Sequence, residues 1–277
     1  MSGRIEKAFR DLSKNGEKGF IPFITAGDPS LKATEELIVL LAELGSTVIE
    51  LGVPFTDPMA DGPVIQRSSQ RALERGEADI RSILMTVERV RKRTDVPIVL
   101  FGYMNPFFAY GIKAVLKDAA RSGADGFLIT DLIDAEFADL SRLAADNGLD
   151  LISLVAPTTT DERIRKISEN ARGFIYAVSR TGVTGKGSEI RGSAEKLVKR
   201  LRAVTELPVA VGFGIGSREQ VEDVLEFADA AVVGSAIVKV IEETGPFGDA
   251  VSRVESFVKE LLRKTEASEK NGRGFAP

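Results

Sequence analysis

A chain of 277 residues, 43% hydrophobic and 28% charged, has material for one large α/β domain or two small ones. Forty-one acidic against thirty-seven basic side chains give a net charge of −4 with no clustered basic patch, which argues against a nucleic-acid partner. The absence of Cys and His excludes disulfides, thiolate nucleophiles, His-based triads and the common transition-metal ligands, so acid–base chemistry falls to Glu, Asp, Lys or Tyr.

The first residues, M-S-G-R-I-E-K-A-F, carry neither an apolar signal core nor an Arg/Ser-rich transit pattern, and no run approaches ~18 continuous apolar residues. A cytoplasmic protein with no membrane partner is expected. The pattern predicts a leading helix from about Ser2 to Asn15, a strand from Phe20 to Thr25, and a Leu/Glu-rich helix that stops at Gly45. The second strand, Thr47 to Leu51, is β-branched and apolar but carries Glu50 at its C-terminal end. The loop behind it is full of Pro, Gly and Asp, too broken for a helix and, with Phe55 and Met59, too apolar for a solvated linker. It should fold back over the strand end and bring Asp61 into one cleft with Glu50, one as proton donor and the other as hydrogen-bond acceptor. A buried Glu paired with an Arg, beside ordinary turn aspartates, would leave the same letters.

Helices are expected from Val64 to Arg75 and from Ile80 to Arg93, then a third strand from Val96 to Phe101. Ile112, Val115, Leu116, Ala119 and Ala120 mark one apolar helix face that Gly123 ends. Five further strands follow at Gly126–Thr130, Leu151–Val155, Phe174–Val178, Val209–Val211 and Ala230–Val233, with helices of the same period between them and a last one marked by Val251, Val254, Val258 and Leu261. Eight strands alternating with helices fit a single (β/α)8 TIM barrel with an extra N-terminal helix and an extra helix after strand two; an open doubly wound sheet is the alternative. The barrel should span residues 1–265, leaving 266–277 as a polar, disordered tail.

In a barrel, chemistry sits on the loops at the C-terminal ends of the strands, and three late ones are glycine-rich: Ser179 to Gly187, Gly212 to Gly216, and Gly234-Ser235 opening a helix. Glycines let backbone N–H groups approach an anion, and a helix N-terminus adds free donors and a favourable dipole, so phosphate binding is expected there. A dinucleotide fingerprint does not fit, because its third glycine would fall at Ser217; Ser217 with Gln220 reads instead as a capping box. Lys186 as a Schiff-base lysine is disfavoured, since no strand would desolvate it.

Phe23 to Pro29, Glu50 to Phe55, Asp57 to Pro63, Gly182 to Gly185, Gly212 to Ile215 and Gly234 to Ala236 together resemble the tryptophan synthase α subunit family across essentially the whole chain. The resemblance implies a (β/α)8 barrel that cleaves indole-3-glycerol phosphate to indole and glyceraldehyde 3-phosphate. It implies no cofactor on this chain, with pyridoxal phosphate (PLP) only on a partner β subunit, and an α2β2 heterotetramer. It assigns Glu50 as general acid/base, Asp61 as partner of the indole N–H, and Tyr176, Phe23, Tyr103 and Phe213 as aromatic positions around the substrate. Thr184 becomes the residue that closes onto Asp61, and Gly185, Gly214, Gly234 and Ser235 the phosphate site. A stand-alone lyase releasing free indole would carry the same residues. The sequence departs from the family after Leu132, where Ile133 stands in place of the usual Pro in a partner-facing loop.

Overall fold

Short strands that are apolar on both faces need cover on both, and a barrel wrapped in helices supplies it. The computed structural model describes residues 3–132, 134–178, 187–212, 214–245 and 248–263. The order is α1 (Arg4–Asn15), β1 (Gly19–Thr25), α2 (Leu31–Glu43), β2 (Ile49–Gly52), α3 (Pro63–Arg75), α4 (Ile80–Val90), β3 (Ile98–Gly102), α5 (Met104–Tyr110), α6 (Ile112–Ser122) and β4 (Gly126–Ile129). It continues with α7 (Asp134–Asp146), β5 (Asp150–Val155), α8 (Asp161–Asn170), β6 (Ile175–Val178), α9 (Gly187–Arg202), β7 (Val209–Gly212), α10 (Arg218–Leu225), β8 (Ala230–Val233), α11 (Ser235–Thr244) and α12 (Ala250–Leu262). The eight strands pair in parallel in sequence order, and β8 closes on β1 through Gly19 opposite Ala230.

The expected barrel is therefore present, with the leading helix and the extra helix after β2. The structure adds two helices that the apolar pattern does not announce, α5 and α8, and the two helices expected after β8 are α11 and α12. β2 begins at Ile49 rather than Thr47, and α4 ends at Val90 rather than Arg93. The capping box forms: Gln220 N–H donates to Ser217 Oγ, and Ser217 N–H donates to Gln220 Oε1.

Strand alternation splits the apolar residues into two layers. Phe20, Ile24, Ile49, Leu51, Ile98 and Leu100 pack outward against the helices. Ile21, Val48, Val99, Leu128, Ile152 and Ala210 fill the barrel interior, and α1 pushes Ile5, Phe9 and Leu12 into its lower end, where the Phe9 and Phe174 rings meet at 5.5 Å. Beside this plug, Asp125 is buried and fully engaged. Its Oδ2 accepts from Ile98 N–H at 2.8 Å and Arg91 Nη2 at 3.0 Å, and its Oδ1 from Arg4 Nη1 at 3.0 Å. At this end α1 covers the barrel and the Asp125 carboxylate is satisfied on both oxygens.

Candidate active site

At the opposite end, the alternation that turns Ile49 and Leu51 outward turns Glu50 inward, in register with Phe23 on one side and Val99 on the other. Glu50 is 1% exposed, and its Oε1 has no hydrogen-bond partner among the described residues. The arginine-paired alternative thus finds no support: Glu50 makes no ion pair among the described residues. Burial alone, with nothing to stabilise the anion, pushes its pKa well above the ordinary carboxyl value.

The loop after β2 does fold back. It is braced by its own turns, with Asp61 N–H donating to Pro58 O at 3.0 Å, and by Gln66 of α3, whose Nε2 donates to Asp61 O at 3.0 Å. Tyr103, buried at the start of α5, reaches across: its hydroxyl accepts from Ala60 N–H at 2.9 Å and hydrogen-bonds the Asp61 carboxylate, while its ring lies 5.3 Å from Phe55. Burial raises the Asp61 pKa to about 6, the Tyr103 hydrogen bond pulling the other way; burial and the neighbouring Asp61 charge take Tyr103 up to about 12.

Two glycines make room for aromatic rings over the barrel mouth. A Cβ on Gly52 would lie 2.5 Å from Phe23 Cζ, and one on Gly212 would lie 2.1 Å from the Tyr176 hydroxyl. Side chains at either position would therefore displace a ring. Tyr176 faces the same interior as Glu50; burial first, then the Glu50 and Asp61 charges, push its pKa well up. Gly234, at the N-terminus of α11, has no side-chain cap, and its own Cβ would sit 3.5 Å from Phe23 Cβ. The helix end expected to hold phosphate thus adjoins the aromatic floor, with Ser235 as its first residue. Gly214 is exposed on the loop after β7, with open space where a Cβ would stand.

The structure thus gathers Glu50, Asp61, Tyr176, Phe23, Tyr103, Gly214, Gly234 and Ser235 at the C-terminal face of the barrel. Thr184, Gly185 and Phe213 lie outside the described residues. Two further residues belong with the set. Phe101 projects into the interior and meets Phe23 edge-on at 5.2 Å and 78°, and Thr25, on the Phe23 face of β1, is buried with a hydroxyl that has no partner among the described residues. Both lie within expected strands, and counting alternate residues from Phe23, or from Val99 opposite Glu50, would have found them.

A carboxyl whose protonated form burial favours and a second carboxyl held by a tyrosine, at the mouth of an aromatic-lined barrel, can pass a proton to a carbon and hold a developing cation. The family model for the tryptophan synthase alpha chain matches residues 9–270. A tryptophan synthase alpha chain from Geobacter sulfurreducens is 48% identical over 261 residues, covering 94% of this chain and 98% of that relative. The solved tryptophan synthase subunit alpha of Legionella pneumophila superposes with a TM-score of 0.86 at 36% identity, covering 94% of this chain and 97% of that one. A chain from the Pyrococcus furiosus tryptophan synthase α2β2 complex, solved to explain mutual activation, gives a TM-score of 0.82 at 40% identity over 88% of this chain and 97% of that one. By sequence and by fold, this chain belongs to the tryptophan synthase alpha chain family.

Proposed function

We propose that the chain cleaves indole-3-glycerol phosphate to indole and glyceraldehyde 3-phosphate in a retro-aldol reaction at the Glu50 end of the barrel. The observation that carries the reading is Glu50 itself: an inward carboxyl whose Oε1 has no partner among the described residues and whose protonated form burial favours, at the same barrel end as Asp61, whose pKa burial raises to about 6. Protonated Glu50 gives its proton to indole C3, and positive charge spreads to the ring nitrogen, whose N–H donates to the Asp61 carboxylate. The Glu50 carboxylate then takes the proton from the glycerol hydroxyl next to C3. The C–C bond breaks, its electron pair returns to the indole ring, and the hydroxyl carbon leaves as the aldehyde.

Tyr103 fixes Asp61 through the hydroxyl that also holds Ala60. Phe23, Phe101 and Tyr176 form the apolar wall for the indole ring, and the α11 N-terminus at Gly234 and Ser235, with Gly214, receives the phosphate. In this reading Thr184 belongs to the closing loop, Gly185 to the phosphate site and Phe213 to the aromatic wall, all three outside the described residues. Proton transfers and charge stabilisation suffice, so each step runs on side chains of this chain; PLP chemistry belongs to a β subunit.

A β partner in an α2β2 assembly is part of the same proposal. It is supported by the Pyrococcus complex and by two large apolar side chains left in water, Met59 on the loop after β2 at 92% and Phe108 on α5 after β3 at 69% exposure. The test follows indole and glyceraldehyde 3-phosphate from purified chain and substrate, with and without a cognate β subunit. Equimolar products, and at least a tenfold gain on adding β, are expected, about 1.4 kcal/mol of differential affinity for the competent state. No indole in either case overturns the reading. Indole release indifferent to a β subunit would mark a stand-alone lyase.

A further inference from the structure

The two ends of the proposed substrate are held by different elements, the ring by the loop that runs into α3 and the phosphate by the first residues of α11. Between these helices lies a charge network that the proton chemistry does not use. Arg71 of α3 donates from Nε to Asp28 Oδ1 at 3.0 Å and from Nη2 to Asp28 Oδ2 at 2.7 Å, a two-pronged grip on the turn after β1. Its remaining Nη1 donates to Glu242 Oε1 of α11 at 2.7 Å. Asp28 is 2% exposed and also accepts from the buried Ser68 hydroxyl at 2.5 Å. Arg67, one turn earlier on α3, grips Glu242 from Nε and Nη2, both at 2.7 Å.

These contacts form a chain from one half of the site to the other. Asp61 and Gly62 lead straight into α3 at Pro63, and Gly234 and Ser235 lead straight into α11. A guanidinium has a rigid planar fork, so a single Arg joined to both partners sets a separation that flexible pairs would leave loose. The network is intact through the working pH range, because Arg67, and after it Arg71, hold the Glu242 carboxyl down to about 2.

We propose that Arg71 is a positioning residue: by bridging Asp28 and Glu242 it fixes the distance between the Asp61 loop and the phosphate-binding end of α11, and so the length of ligand the site accepts. This rests on the function proposed above. A ligand that touches both halves gains from the fixed spacing, because the ordering is done before it binds, whereas a ligand that touches one half does not.

The experiment measures binding of three probes to wild type, Arg71→Met and Glu242→Gln. An uncleavable indolyl-propyl phosphate spans the site, glycerol 3-phosphate occupies the phosphate end, and indole the ring end. The expected result is a loss of about tenfold or more for the spanning probe and less than about twofold for either half probe. Arg71→Lys, which keeps the charge and loses the fork, should fall between wild type and Arg71→Met. Arg71→Met strands the buried Asp28 carboxylate; should it not fold, Glu242→Gln carries the test, since it leaves the Arg71–Asp28 grip in place. Equal losses for all three probes, the signature of general loosening, overturn the proposal, as do three unchanged affinities. A wild-type chain that forms no indole removes the functional reading and the clamp together, while active wild type with uniform losses in the variants removes the clamp alone.

Discussion

Asp125 and Glu50 are both carboxyls buried at an end of the barrel, and they are treated in opposite ways. At the base, Asp125 takes three donors from two arginines and a backbone N–H, so its desolvation is offset by charge-assisted bonds. At the mouth, Glu50 is at least as hidden but has an oxygen with no partner among the described residues, and its register neighbours on the adjoining strands are Phe23 and Val99. Burial alone therefore does not distinguish structure from chemistry in this fold. Satisfaction separates these two: Asp125 is spent on holding elements together, while Glu50, and Thr25 with it, keep a buried oxygen unpartnered among the described residues.

Exchanging charge for an isosteric amide at each end is the most direct way to break this contrast. Glu50→Gln should lower kcat by about 10²–10⁴ because the transferable proton is gone, while leaving the melting temperature equal or higher. The sign follows from linkage. A folded-state pKa above the unfolded value means stability is full at low pH and is lost as pH rises towards the folded pKa, and the amide removes that loss. Activity within a few-fold of wild type would return Glu50 to a structural role. Asp125→Asn should do the reverse, costing about 2–4 kcal/mol of stability by weakening a buried pair with Arg91, while kcat per folded molecule holds. Urea unfolding and active-site titration together separate the two; a melting temperature unmoved by Asp125→Asn would mean the base is not held by that network.

A pH profile sharpens the contrast within the mouth. Asp61 must be ionised to accept the indole N–H, and its pKa is raised to about 6, so kcat/KM should fall below that pH by up to about tenfold per unit. Glu50 must be protonated, and burial raises its pKa, so the alkaline fall should come well above the ordinary carboxyl range. Asp61→Asn should remove the acid limb. An acid limb in the wild type near the ordinary aspartate value would contradict the burial of Asp61.

Much of this was legible in the chain because the signals are local. Glu50 in an apolar strand, breakers after it, and glycines after the last three strands each mark their own position. The elements that escaped depend on distant partners. α5 is short, carries Pro106, and has its first N–H, that of Met104, capped by Asp131 from the loop after β4 at 2.7 Å. A cap supplied by another loop leaves no local pattern. α8 buries Ile164 as its one fully covered side chain, too little for an apolar stripe, although Thr160 accepts from Arg163 N–H as a local start signal. Phe101 and Thr25 lie in recognised strands, but which parity faces inward follows from closure of the barrel and not from either strand alone. The bridge through Arg71 joins residues far apart in sequence, so its three partners read as ordinary surface charges until the helices are placed side by side.

The plug formed by α1 has a bearing on traffic. With Ile5, Phe9 and Leu12 packed into the lower end of the barrel interior, the way to Glu50 runs through the mouth, past Phe23 and Tyr176. Substrate and both products must then take turns at that opening. Any body seated on the rim near Met59 and Phe108 would stand over that opening, deciding by its position whether a small aromatic product drifts into bulk water or is received directly.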